Sequence, residues 1–152
     1  MLKERDVWTS LKKSAQLPFA VRVESPTSPG IPDVFFSLGG VTGWMELKFV
    51  RTAKPLVRST LRPLQFRWAK EASAAGVFTT VLLFWRDQAI LLAGADVEAL
   101  VEADAETVQR NALWVGGTDP QTRWAGIQEK LEQHGRQFQT LCVANSRAPI
   151  RR

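Results

Sequence analysis

The sequence predicts an α/β protein, a central mixed sheet flanked by helices in the order α-β-β-β-α-β, followed by an extra strand and C-terminal helices. Three observations carry this. Apolar residues recur at helical spacing between Glu4 and Ala15, and a second helical stretch opens at Pro63. Two β-prone runs, one ending Val34-Phe35-Phe36 and one spanning Gly43 to Val50, lie on either side of a Gly39-Gly40 turn and make a hairpin. Val77 to Phe84 carries no charge and is apolar but for Thr79 and Thr80, which is how a strand buried on both faces reads.

Taken in order, Val7, Trp8 and Leu11 give the first helix its apolar stripe. Phe19 to Glu24 alternates and reads as the first strand. Ser25-Pro26-Thr27-Ser28-Pro29-Gly30 is a loop that delivers the chain to Asp33, and the hairpin follows, joined through Leu38 to Gly43. Arg51 to Leu61 is expected to be a mobile basic loop. Pro63 suits the first position of a helix, which runs to Ala75 before Gly76 ends it. After the Val77–Phe84 strand come an Arg86-Asp87 turn and a strand from Gln88 to Leu92. Asp96 to Glu106 reads as an acidic helix, and Asp119 to Gln133 as another. No repeat or interdomain linker interrupts the chain. It reads as one domain over 1–152, with the core in 1–93 and a C-terminal helical extension over 94–152.

Composition excludes several kinds of chemistry. No apolar run approaches a membrane span, and Met1 to Asp6 does not read as a signal peptide. One cysteine, Cys142, forbids an internal disulfide and fits a reducing, cytoplasmic setting. With His134 alone and no cysteine cluster, a zinc site and a Cys–His dyad are both disfavoured. Catalysis, if present, must run on carboxylates, lysine and a metal.

Such a set stands in the hairpin. Asp33 lies at the entry of one strand and Glu46 inside the next. Period-2 alternation puts Glu46 and Lys48 on one face, and Met45, Leu47 and Phe49 on the other. Two carboxylates and the backbone carbonyl of Leu47 offer hard oxygen ligands suited to Mg²⁺, with Mn²⁺ able to substitute. A metal there makes hydroxide available near neutral pH and neutralises phosphoryl charge, while Lys48 orients the attacking water or stabilises developing negative charge. The chemistry expected is phosphodiester hydrolysis.

Charge points to a polyanion. Residues 1–70 carry a net +7 and residues 71–152 a net −2, within an overall +5. Between Glu46 and Glu71 there is no acid, while Lys48, Arg51, Lys54, Arg58, Arg62, Arg67 and Lys70 accumulate. Arg51, Lys54, Arg58 and Arg62 are the expected DNA-binding residues.

On Gly30-Ile31-Pro32-Asp33, Glu46-Leu47-Lys48 and Pro63-Leu64-Gln65-Phe66-Arg67-Trp68, the chain resembles the PD-(D/E)XK nuclease superfamily. More narrowly it resembles VRR-NUC-like and phage Holliday-junction-resolvase-like proteins, over residues 1 to 85. The resemblance implies a restriction-endonuclease-like αβββαβ core and a Mg²⁺-dependent endonuclease acting on branched DNA. In-line attack would leave a 5′-phosphate and a 3′-hydroxyl. A nuclease of the same fold with a flap-cutting, nicking or degradative task, and a DNA-binding protein without catalysis, stand as the alternatives. The resemblance also implies that Gln65 faces the metal and that an acid on the first helix, Glu4, adds a ligand. Asp6 and Glu24 are the alternatives to Glu4. Junction cutting requires two opposed sites, so a homodimer is expected, with Trp114 and Trp124 near the C-terminus as a candidate surface and an intramolecular cap as the other explanation. A phage origin would put the protein in the host cytoplasm. Trp68 and Trp44 read as core residues, although Trp44 shares the face of Glu46.

Overall fold

The computed structural model describes residues 4–14, 19–51, 55–117 and 119–146, apart from the side chains of Glu4, Ser14 and Ser146. Six strands form one mixed sheet: β1 (Phe19–Arg22), β2 (Val34–Leu38), β3 (Val41–Phe49), β4 (Thr79–Trp85), β5 (Gln88–Ala93) and β6 (Trp114–Gly117). They lie side by side in chain order. Every neighbouring pair is antiparallel except β3 and β4, which run parallel. A parallel pair needs a crossover, and α2 (Pro63–Ala74) supplies it. The remaining helices are α1 (Glu4–Ser14), α3 (Ala105–Arg110) and α4 (Pro120–Ser146). None of the described helices is long and apolar enough to cross a membrane.

Alternation sorts the apolar side chains into two clusters, one on each face. Met45 and Leu47 of β3, Leu82 and Phe84 of β4, and Ala89 and Leu91 of β5 pack with Val7 and Leu11 of α1 and Trp124, Ile127 and Leu131 of α4. Val81, Leu83, Ile90 and Leu92 face the other way, toward Leu56, Val57, Leu61, Val97 and Val108, with Phe66 of α2 against them. Strand β4 is buried along both faces for six of its seven residues, apolar from Val81 onward and opened by the buried Thr79 and Thr80.

The β2–β3 hairpin closes through Gly39 and Gly40, with φ of +55° and +82°. Two successive positive values match the right-handed twist of the strands, and glycine takes them without penalty. Leu38 then pairs with Val41 and Val34 with Met45. One step further, the Val23 N–H donates to the Asp33 carbonyl at 2.7 Å, tying the entry of β2 to the end of β1.

The element order through β5 follows the expectation, and five details differ from it, the first being that the last helix, expected over Asp119 to Gln133, is α4 and runs on to Ser146. Residues 55–61 are a packed turn in place of a mobile loop. Leu56 and Val57 are wholly buried, Leu61 nearly so, and the Thr60 hydroxyl donates to the Leu56 carbonyl at 2.8 Å. The acidic stretch is not one helix. Two 3₁₀ turns (Gly94–Asp96 and Glu98–Leu100) precede α3, because Val97 and Leu100 turn inward and Asp104 starts a fresh helix by accepting the Thr107 N–H at 2.8 Å. The region after residue 93 is not purely helical either, since β6 adds a strand to the sheet. Trp124 is unavailable as a dimer surface: it is 1 % exposed, and its indole N–H donates to the Ser10 hydroxyl at 3.1 Å. Trp114 is half-buried beside Gly126, where a methyl group would meet its ring.

Because Trp124, Ile127 and Leu131 complete the cluster that α1 and β3 begin, α4 belongs to the core. Trp124→Ala is expected to cost about 3–5 kcal/mol in denaturant unfolding. A chain cut after residue 93 is expected to give no cooperative transition.

Candidate metal and catalytic site

Register brings the two carboxylates together. Continuing the β2–β3 pairing one residue past Val34–Met45 sets Asp33 opposite Glu46, with both side chains on one face. The Leu47 N–H donates to Asp33 Oδ2 at 3.1 Å, so the carboxylate takes a ladder donor that β2 has left free. In an extended strand the N–H and C=O of a residue point the same way. The Leu47 carbonyl is therefore directed to the same side of β3 as Asp33, as a hard-oxygen ligand role needs.

Glu46 is 3 % exposed. Its Oε1 accepts from Lys48 Nζ at 3.2 Å and from Gln65 Nε2 at 2.7 Å. Its Oε2 is buried without a hydrogen-bond partner. Gln65 is oriented from both ends, since its Oε1 accepts the Arg62 N–H at 2.9 Å across the first turn of α2. The loop ahead of Asp33 is seated on the same turn. Gly30 has φ +96°, and a side chain there would come within 2.6 Å of the Leu64 carbonyl. Asp33, Glu46, Lys48 and Gln65 are thus fixed by a loop, a strand and a helix start that touch one another.

Burial, and next the Asp33 carboxylate beside it, push the Glu46 carboxyl up to about 8, against the pull of Lys48. A buried acid with an unpartnered oxygen, facing a second acid, is what a divalent cation would satisfy. Asp33, Glu46 and the Leu47 carbonyl fit such an ion.

The other expected residues fare differently. The side chain of Glu4 and the whole of Lys54 lie outside the described residues. Among those described, no group of three or more potential metal-ligating side chains occurs, so neither Asp6 nor Glu24 joins Asp33 and Glu46. Glu24 is exposed and lies 3.9 Å from Arg22. Arg51 and Arg62 are exposed, as DNA contacts require. Arg58 is exposed too but pairs with Glu102, an acid forty-four residues further on that sequence proximity could not reveal. Two features escaped the sequence reading: the direct Gln65–Glu46 bond and the role of Leu47 N–H. An Arg62-x-x-Gln65 helix start carried a signal for the first, because a glutamine three residues past an N-cap reaches back to it. No protein-family model and no curated protein matches the chain.

Two results are expected from the raised acid. A folded-state pKa above the unfolded value contributes stability that is fully present below 4.5 and is lost as pH rises from there to about 8. The metal-free protein should therefore lose stability across that window, and Glu46→Gln should raise its Tm at pH 8.5, by about 2–4 °C per kcal/mol recovered. Metal binding requires the carboxylate, so calorimetry in buffers of different ionisation enthalpy should show proton release on Mn²⁺ binding at pH 6.5 that vanishes by pH 9.

Proposed function

We propose that the protein is a Mg²⁺-dependent endonuclease of the PD-(D/E)XK type that hydrolyses DNA phosphodiester bonds, with branched DNA as its substrate. The observation that carries this reading is the Asp33–Glu46 pair, with Lys48 bonded to Glu46 and Glu46 Oε2 left without a partner. The strand order β1-β2-β3-β4, with only β3 and β4 parallel, agrees with a restriction-endonuclease-like core. So does α2 as the crossover carrying Gln65.

The roles follow from position. Asp33, Glu46 and the Leu47 carbonyl would hold the ion, which when bound supplies Lewis acidity to the phosphoryl oxygen and acidity to a bound water. Lys48, 17 % exposed at its side chain, keeps its ammonium beside the Glu46 carboxyl and would give a donor to negative charge developing at phosphorus. Gln65 fixes the orientation of the Glu46 carboxyl. Arg51 and Arg62 stand exposed on the chain that leaves β3 and enters α2, so they would meet the backbone flanking the scissile bond. A binding protein without catalysis gains nothing from two acids facing phosphate, which favours the hydrolase over that alternative. A homodimer would supply the second site that a four-way junction needs.

Incubating the protein with plasmid and with a four-way junction, in Mg²⁺, Mn²⁺ or EDTA, tests the reading. Cleavage with either ion and none in EDTA is expected, and no cleavage under any condition overturns it. Asp33→Asn and Glu46→Gln should abolish cutting while DNA affinity stays equal or rises. Lys48→Ala should slow cutting about 10²–10³-fold with the circular dichroism spectrum unchanged. Arg51→Ala with Arg62→Ala should weaken binding to all sequences alike. It should also flatten the log–log salt slope by about 0.9 for each phosphate no longer neutralised.

A further inference from the structure

On the nuclease reading above, we infer that the sheet face beside the carboxylates is a stacking platform for an unpaired nucleobase adjoining the scissile phosphate, built from Phe19, Phe35 and Trp44. Phe35 lies two residues along β2 from Asp33, and Trp44 two residues along β3 from Glu46. Period-2 alternation therefore puts both rings on the carboxylate face, about 7 Å from the acids along each strand. That is the reach of one nucleotide from a phosphate held at the site.

The rings form a connected row. Phe19 meets Phe35 edge to face with centroids 6.4 Å apart, Phe35 meets Trp44 at 5.2 Å, and Trp44 meets Trp68 of α2 at 5.8 Å. Edge-to-face contacts hold each ring at a fixed angle, so a base would find the row already ordered. Trp68 anchors one end from α2. The other end is open: Phe19 is 53 % exposed and Val21, which pairs with Phe35, is 43 % exposed. α2 packs over β4 and the 3₁₀ turns that follow β5, and α1 and α4 pack on the opposite face. Among the described residues no helix packs closely on the carboxylate face of β1 and β2.

An uncovered aromatic row has several conceivable occupants, and charge selects among them. The adjoining chain from Lys48 to Lys70 contains seven cations and no acid, with Arg51, Arg62 and Arg67 exposed. A second copy seated on this face would bring the same net +5 and leave these cations without counter-charge, so a homodimer would use another surface. A polyanion with apolar, π-faced units satisfies both the cations and the rings, and single-stranded DNA is such a molecule. A paired base in a duplex keeps its faces stacked on its neighbours, so the platform favours DNA with unpaired nucleotides at the cut.

The experiment compares a forked duplex bearing unpaired arms with a fully paired duplex, by anisotropy in Ca²⁺. Leucine keeps the apolar surface and removes the π face, while tryptophan keeps both. Phe19→Leu and Phe35→Leu together should weaken fork binding about 5- to 100-fold, leaving duplex affinity and the salt slope unchanged. Phe19→Trp should bind the fork as tightly as the parent. Phe19→Leu alone, at a half-exposed position, gives the same test if the double variant does not fold. Equal fork affinity for Phe19→Leu and the parent overturns the platform. So does a parent that sediments as a dimer and a Phe19→Leu variant that sediments as a monomer, which would assign the face to self-association. If the parent cuts DNA in Mg²⁺ and only the leucine series is flat, the platform alone fails. A parent that neither cuts nor binds either DNA fails both readings.

Discussion

Two carboxyl groups set side by side on neighbouring strands repel, and most of what surrounds Asp33 and Glu46 serves to keep them there. The Leu47 N–H neutralises part of one, and Lys48 and Gln65 hold the other. None of these donors reaches Glu46 Oε2. The arrangement is stable enough to exist yet leaves one buried oxygen without a partner, and a protein tolerates that where function uses it. Local strain of this kind must be supported by rigid neighbours. The sheet supplies them, with β3 held between β2 and a β4 buried on both sides.

The two faces of the sheet divide the work. Below, α1 and α4 close a cluster of large side chains, Trp124 and Met45 among them. Its polar features are the Ser10 hydroxyl, accepting from Trp124 and Arg123, and the buried Arg123 guanidinium over the Phe84 and Trp124 rings. Above, the closed apolar cluster lies on the β4–β5 half, under α2 and the 55–61 turn. The β1–β3 half of that face is where Asp33, Glu46, Phe35 and Trp44 stand. Two exposed ion pairs, Arg58–Glu102 and Lys70–Glu98, join α2 and the segment before it to the second 3₁₀ turn and the residues just after it. Such pairs contribute little to stability, but they lower the positive charge that a polyanion would meet at those two positions.

How much was legible in the sequence follows from the range of each interaction. The hairpin was legible because two adjacent glycines and period-2 alternation are local signals, and with it came the shared face of Glu46 and Lys48. Pro63 and Gly76 marked α2 for the same reason. Asp33 opposite Glu46 required only counting back from the turn. What stayed hidden depends on partners distant in the chain. Glu102 finds Arg58, and Leu56 and Val57 find the β4–β5 face, so a basic, loop-like stretch becomes a packed turn. β6 is four residues ending in two glycines, too short and too poor in β-branched side chains to declare itself, and it forms because β5 offers an unpaired edge. The acidic stretch failed as a helix because its apolar positions, Val97 and Leu100, satisfy a 3₁₀ turn as well as an α-helical one.

The Gly39–Gly40 turn sits at the far end of the hairpin from the acids, five residues of β2 away, or about 17 Å. It nevertheless acts as the ruler for the site. In a strand pair, slipping the register by one residue sends every side chain to the other face. A single inserted residue in that turn, absorbed by sliding β2, would leave Asp33 and Glu46 chemically intact and on opposite sides of the sheet. Tolerance to insertion at this exposed tip is therefore a matter of parity rather than of distance. The part of the molecule that looks most dispensable keeps time for the part that does the chemistry.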